Sequence, residues 1–176
     1  THWGMSGPAI LELSAWGARL LHEKNYNFHI LVNWLDETTE NELRNKLDEV
    51  RLIHLNKKMV NVNPFPITNK IWNYLIEKTG IHPDAKWSEL NGKLKNKLVN
   101  NLINDRYNVS GKTTFKEEFV TAGGVSLKEI HPQTMESKKI SGLFFAGEVL
   151  DIDGVTGGFN FQAAWTTAFV AGKHIN

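Results

Sequence analysis

Apolar positions along the chain change period several times, and each change marks an element. From Tyr26 to Leu35 they alternate: Phe28, Ile30, Val32 and Trp34 share one face, His29 and Asn33 the other, with Leu31 the exception. That spacing predicts a strand with one buried face. From Asp36 to His54 the period becomes helical, through Leu43, Leu47, Val50 and either Ile53 or His54. Thr39 followed three residues on by Glu42 has the form of a capping box. Asn63-Pro64-Phe65-Pro66 then breaks the chain. Thr68 is the expected cap of a second helix with Ile71, Tyr74 and Leu75 turned inward, stopped by Gly80 and Pro83. Ser88-Glu89 is the expected start of a third, with Leu90, Leu94, Leu98 and Leu102 repeating every four residues and Lys93, Lys95, Lys97 and Arg106 outside. Ahead of all these, Ser6-Gly7-Pro8 reads as a helix start, with Ser6 as cap and Ile10, Leu13 and Trp16 along one side to about Leu21.

The C-terminal third reads differently, as apolar runs that stop at glycine. Phe115–Val120 is expected to be a strand ended by the loop Thr121-Ala122-Gly123-Gly124. Leu143-Phe144-Phe145-Ala146 is expected to be a short strand buried on both faces, ending at Gly147-Glu148. In open α/β sheets ligands collect at that end of a strand. Gly157-Gly158 then precedes a helical run from about Phe159 to Ala171. A glycine pair before a helix lets a ligand come close to backbone N–H groups at the positive end of the dipole. Strand, acid, loop, glycine pair and helix together suit a large, partly anionic cofactor.

The runs Thr-Ala-Gly-Gly-Val-Ser-Leu-Lys-Glu-Ile (121–130), Thr-Met-Glu-Ser-Lys (134–138), Gly-Leu-Phe-Phe-Ala-Gly-Glu-Val-Leu-Asp (142–151) and Thr-Gly-Gly-Phe-Asn-Phe-Gln (156–162) resemble the BaiN/YhiN-type flavoproteins. These are bacterial NAD(P)/FAD-dependent oxidoreductases. Thr-His-Trp-Gly-Met-Ser-Gly-Pro-Ala (1–9) resembles that family's junction between the FAD-binding domain and an inserted domain. The resemblance implies a division into a junction at 1–8, an inserted substrate-side domain at 9–118 and the end of the FAD-binding domain at 119–176. It makes Glu148 an acceptor for sugar or ribityl hydroxyls and His2 a candidate lining residue. NAD(P)H is the implied reductant and the implied setting is bacterial, while the absence of cysteine agrees with a cytoplasmic home.

Read from the residues, the cofactor-binding candidates are Gly123, Gly124, Gly147, Glu148, Gly157, Gly158, Phe159, Asn160, Phe161 and Gln162. The glycines give room, Asn160 and Gln162 give polar contacts, and Phe159, Phe161 and Trp165 are expected to pack. Amides at the start of the last helix would face the N1–C2=O edge of a flavin and stabilise its anionic reduced form. A helix terminus is worth ~0.3–1 kcal/mol when exposed and up to ~2 kcal/mol when partly buried. At ~30 mV per 1.4 kcal/mol for a two-electron couple, that is a tuning effect of tens of millivolts. No residue reads as a catalytic acid or nucleophile beyond the lone His2, and hydride transfer needs orientation more than a side-chain base.

Composition narrows the classes. The 176 residues are 41% hydrophobic and 22% charged, with a net charge of +1 and no cysteine. Disulfide frameworks and thiolate metal sites are excluded, and no run approaches the roughly 18 apolar residues of a membrane span. Asp151 and Asp153 are too few for a cation cage, so no metal is expected. Ser110-Gly111-Lys112-Thr113-Thr114 lacks the first glycine of a P-loop. Nor does any glycine set give Gly-x-Gly-x-x-Gly. With Thr1-His2-Trp3 at the start and no initiator methionine, the expectation is a C-terminal fragment without its ADP-binding half, which would hold no stable FAD alone and whose partner is the missing N-terminal portion.

The fold class expected is α+β: part of a Rossmann-like FAD-binding domain plus an inserted domain of a small β unit and about three helices. The function expected is that of an FAD-dependent oxidoreductase acting on a small molecule. The alternative is a non-catalytic module in which 9–118 binds a protein or a nucleic acid, with the lysines near Trp72 and Trp87 as its surface. Near-balanced charge and the lack of a recognition motif make nucleic acid an unexpected partner.

Overall fold

The computed structural model describes residues 4–112, 120–155 and 157–175. His2, Thr156 and all of the strand expected at 115–120 except Val120 lie outside them. The elements run α1 (Pro8–Glu23), β1 (Asn27–Val32), α2 (Glu40–Ile53), α3 (Asn69–Thr79), α4 (Gly92–Ile103), β2 (Asp105–Ser110) and α5 (Phe159–His174). Among the described residues β1 and β2 form a two-stranded sheet. The architecture is mixed α+β. No described helix is long and apolar enough to cross a membrane.

The chain divides into two compact units, residues 28–109 and residues 1–27 with 110–176. Sequence boundaries were expected at 8/9 and 118/119. The units instead group α1 with the C-terminal segments, where Arg19 Nη2 meets Asp151 Oδ1 at 2.5 Å and the Gly111 N–H donates to the Tyr26 carbonyl at 2.9 Å.

Residues 28–109 are built around the predicted helical stripes. Thr39 and Glu42 form the reciprocal capping box, Glu42 Oε2 accepting from the Thr39 N–H at 2.9 Å and Thr39 Oγ1 from the Glu42 N–H at 3.3 Å. Leu43, Leu47 and Val50 are buried, while Ile53 is exposed and His54 half-buried. Thr68 caps α3, and Gly80, left-handed at φ 86°, ends it. Tyr74 is 42% exposed, against expectation. The buried face of α3 is Trp72, Leu75, Ile76 and Thr79, one step round the helix, because Trp72 stacks on Trp87 with ring centroids 6.1 Å apart and hydrogen-bonds the Met59 carbonyl at 2.8 Å.

The third helix also starts later than Ser88-Glu89. Those residues form a short 3₁₀ turn in which Glu89 accepts from the Lys86 N–H, and Asn91 caps α4 through the Leu94 N–H at 3.0 Å. Leu90, Leu98 and Leu102 are buried and Leu94 half-buried. Lys95 is not on a free outer face: it pairs with Asp48 at 2.8 Å and ties α4 to α2.

The other unit has a smaller core. Among the described residues its buried side chains are Ile130, Met135, Leu150 and Ala171, with Val125, Phe144, Phe145, Ala146, Ile152 and Val170 packed around them. Val125 pairs with Leu150 in a parallel bridge, and Glu136 with Phe144 in an antiparallel one. Residues 143–146 are therefore no strand buried on both faces. Phe144 to Ala146 are half-buried and Leu143 is 37% exposed, because a single bridge covers only one edge. Ser6 does not cap α1 either: Gly7 occupies the cap position and no side chain serves there. None of the α1 side chains is buried, and Leu13, Trp16 and Leu20 lie exposed along one side.

Candidate functional site

Three short segments of the C-terminal unit converge on one cleft. Past Ala146 the chain makes a 3₁₀ turn, Gly147–Val149, with Glu148 at its centre. The Gly147 N–H donates to Thr167 Oγ1 on α5 at 3.0 Å, which seats this turn on the helix. Val125 closes the other side: its N–H donates to the Val149 carbonyl at 2.8 Å, and its carbonyl accepts from the Asp151 N–H at 3.0 Å. That pairing explains Gly124. Its φ is +151°, and a Cβ there would lie 2.6 Å from the Leu150 carbonyl carbon and from the Val149 oxygen. Only glycine fits.

The start of α5 is the third segment. Gly158 is left-handed at φ 93°, and no side chain caps the helix. Asn160 turns back to the preceding loop. Its Oδ1 accepts from the Gly154 N–H at 2.7 Å and its Nδ2 donates to the Gly154 carbonyl at 2.9 Å.

The cleft is lined by Val120, Thr121, Glu148, Ile152 and Asn160 and measures about 90 Å³. It thus joins two of the sequence-derived candidates, Glu148 and Asn160, that stand twelve residues apart, and it adds Thr121 and Ile152. Glu148 is exposed. Gly123 and Gly124 adjoin Thr121, and Gly157 and Gly158 lead into the Asn160 turn.

Other candidates point elsewhere. Gln162 stands roughly 200° round the helix from Asn160, is exposed, and donates to Thr166 Oγ1 at 3.1 Å. Phe159 and Phe161 are 66% and 62% exposed, and Phe161 stacks on Trp165 rather than packing inward. The residues that α5 turns toward its own unit after Asn160 are Ala163, Ala164, Thr167, Val170 and Ala171. Thr167 carried no signal in the sequence, because a threonine inside a helix differs in nothing from any other until its partner is known. Asp151 is engaged with Arg19, whose guanidinium is held more firmly protonated by that hydrogen bond and charge. Among the described residues no cluster of three metal-ligating side chains occurs.

The comparisons bear on this geometry. The family model described as "HI0933-like protein Rossmann domain" matches residues 8–174. The chain belongs to the HI0933-like family. This is a flavoprotein oxidoreductase family, in agreement with the resemblance carried by residues 121–162. The chain is similar to a ribosomal RNA dihydrouridine synthase of Escherichia coli, 31% identical over 99% of this chain and 41% of that protein. The protein of the same name from Haemophilus influenzae is 32% identical over 100% of this chain and 41% of its own length. A 3-dehydro-bile acid delta(4,6)-reductase of Clostridium scindens is 28% identical over 98% and 42%. The chain thus spans about two-fifths of the length of these relatives.

The residues present fit part of a flavin. The exposed carboxylate of Glu148, and Asn160 in the first turn of a helix with no side-chain cap, stand around one cleft. Ligand pockets enclosing a whole drug-sized molecule run to ~300–1,000 Å³, so about 90 Å³ accommodates an edge of the group and no more.

Proposed function

We propose that this chain is the flavin-seating and substrate-side part of a longer FAD-dependent reductase. FAD, when bound, supplies a two-electron hydride donor that NAD(P)H recharges. Glu148 accepts hydrogen bonds from cofactor hydroxyls, and the first turn of α5 directs its amides at the anionic edge. Gly123, with nothing within 4 Å of its Cβ position, lets backbone approach that edge closely, whereas Gly124 serves the Val125–Leu150 pairing. Asn160 holds the 154 turn so that the cleft keeps its shape. The observation that supports this most is the shared cleft of Glu148 and Asn160 at the start of a helix with no side-chain cap.

The relatives' names suggest the bond reduced. A dihydrouridine is a uridine whose ring C=C, conjugated to a carbonyl, has gained two hydrogens, and a delta(4,6)-reductase removes ring double bonds of an oxidised steroid. We read the substrate as a ring with a C=C bond conjugated to a carbonyl. One carbon receives hydride, the other a proton, and NAD(P)H is the electron source. A small molecule and a uracil within RNA both meet that description. Trp72 and Trp87, the aromatics that the nucleic-acid alternative relied on, are fully buried and cannot stack on a base.

Anaerobic reduction of the flavin in the full-length protein by NADH and NADPH, followed by reoxidation with a conjugated enone and with a uridine-containing RNA, tests this. Reoxidation by either supports the reading. A flavin that neither nucleotide reduces, or that neither acceptor reoxidises, counts against it.

A further inference from the structure

The unit at 28–109 holds a cavity of about 260 Å³, larger than the Glu148 cleft. It opens where α3 ends and α4 begins, beside the left-handed Gly80. Met59, Ile81, Leu90 and Leu94 give it apolar walls, the first three of them buried. Apolar cavities of ~150 Å³ hold one benzene ring, and pockets for drug-sized molecules begin at ~300 Å³. This one has room for a single substituted ring.

His82 and Glu89 also line it, and each has one bonding position engaged and another left over. His82 Nδ1 accepts from the Asp84 N–H at 3.2 Å, which puts the ring proton on Nε2 and makes that atom a donor. Glu89 Oε1 accepts from the Lys86 N–H at 2.9 Å, and the other carboxylate oxygen has no hydrogen bond among the described residues. Lys97 Nζ lies 3.7 Å from where a Cβ on Gly80 would stand and forms no ion pair among the described residues. The ammonium disfavours a cationic ligand here, and the Glu89 carboxylate disfavours an anionic one. A neutral ring with an acceptor for His82 and a donor for Glu89 satisfies both.

We propose that this cavity binds a neutral planar ring in which a carbonyl stands next to a ring N–H, the cyclic amide or imide of a lactam or a pyrimidine base. The apolar walls take the ring, His82 donates to its carbonyl oxygen, and Glu89 accepts from its N–H. The site does not rest on the flavin reading, because every residue that forms it lies within 28–109.

Uridine titrated into this chain and followed through backbone amide chemical shifts tests it. The comparison is N3-methyluridine, whose methyl group replaces the ring N–H. The proposal expects saturable shifts confined to residues around 80–94, and N3-methyluridine bound roughly tenfold more weakly for the loss of one hydrogen bond. His82→Ala removes an exposed side chain and should weaken uridine by a similar factor. Glu89→Gln keeps an acceptor for the Lys86 N–H but loses the free carboxylate, and should do the same. A short oligouridylate that binds more tightly than uridine supports the site with RNA as the source of the ring. Equal binding supports it with a free base or nucleoside. No saturation, equal affinity for the two nucleosides, or shifts centred on residues 120–160 overturn the proposal. None of these outcomes alters the flavin content of the full-length protein, which tests the other reading separately.

Discussion

Asn160 and Gly154 exchange two hydrogen bonds, the amide of one closing on the backbone N–H and carbonyl of the other at 2.7 and 2.9 Å. The pair fixes the loop before α5 to the helix's first turn, on the same side as Glu148. Asn160→Ala should cost about 1–3 kcal/mol, the worth of two neutral hydrogen bonds in a half-buried setting. Asn160→Asp keeps the acceptor, loses the donor, and should fall between. Chemical denaturation ranks the three proteins, and faster hydrogen exchange at the Gly154 amide would locate the loss.

Gly124 separates backbone strain from simple loss of freedom. A methyl group there meets the Leu150 carbonyl carbon and the Val149 oxygen at 2.6 Å, while at Gly123 nothing lies within 4 Å. Gly124→Ala should open the Val125–Leu150 bridge and destabilise by more than ~2 kcal/mol. Gly123→Ala carries only the strain of its positive φ of 116° and should cost less, ~1 kcal/mol. Thermal melts of the two variants side by side decide it; equal losses would mean that the close approach has no energetic weight.

In the helical unit Leu98 is fully buried and Leu94 only partly. Leu98→Ala should cost about 2–5 kcal/mol, transfer and cavity together. Leu94→Ala should cost visibly less, and Leu98→Asp should leave the unit unfolded. Melting curves followed by tryptophan fluorescence carry this unit's signal, because Trp72 and Trp87 are stacked in its core, once Trp16 and Trp165 of the other unit are replaced by Phe.

The same unit has an alkaline weakness. Asp105 is wholly buried and receives the Lys78 ammonium at 2.5 Å, the Tyr107 hydroxyl at 2.6 Å and the Trp34 indole N–H at 3.1 Å. Burial, then the hydrogen bond to Asp105, pushes the Tyr107 phenol well above its ordinary value of 10.0. Burial pulls Lys78 down, but its hydrogen bonds to Asp105 and Tyr74 outweigh that and leave it raised. Both folded groups hold protons that the unfolded chain gives up first. Their contribution is therefore complete below about pH 10 and is lost as pH climbs beyond it. Urea midpoints measured from pH 8 to 11 should fall on the alkaline side, and Tyr107→Phe should flatten that fall.

Local chemistry was readable and covering surfaces were not. The Thr39–Glu42 box, the Thr68 cap and the Gly80 stop each depend on residues within four positions, and all three stand where the sequence put them. The start of α4 was misplaced because two capping signals follow one another, Glu89 serving the 3₁₀ turn and Asn91 the helix. The helical period alone places Tyr74 inward because it allows neighbouring stripes, and the Trp72–Trp87 stack, set by distant residues, chooses the other one and leaves Tyr74 exposed. The run at 143–146 was apolar enough for a covered strand, yet burial depends on what lies opposite. At the site, Glu148 and the helix start were legible from the glycine punctuation. Thr121, Ile152 and Thr167 became visible only once the loops were placed together.

The carboxylate at the mouth of the cleft gives the most direct test. Full-length protein carrying Glu148→Ala, purified beside the unaltered protein, should lose most of its visible flavin absorbance per polypeptide while keeping its melting behaviour without cofactor. Glu148→Gln, still a hydrogen-bond acceptor on one oxygen, should retain an intermediate amount. Unchanged flavin content in both variants would contradict the account and leave the region an ordinary folded element.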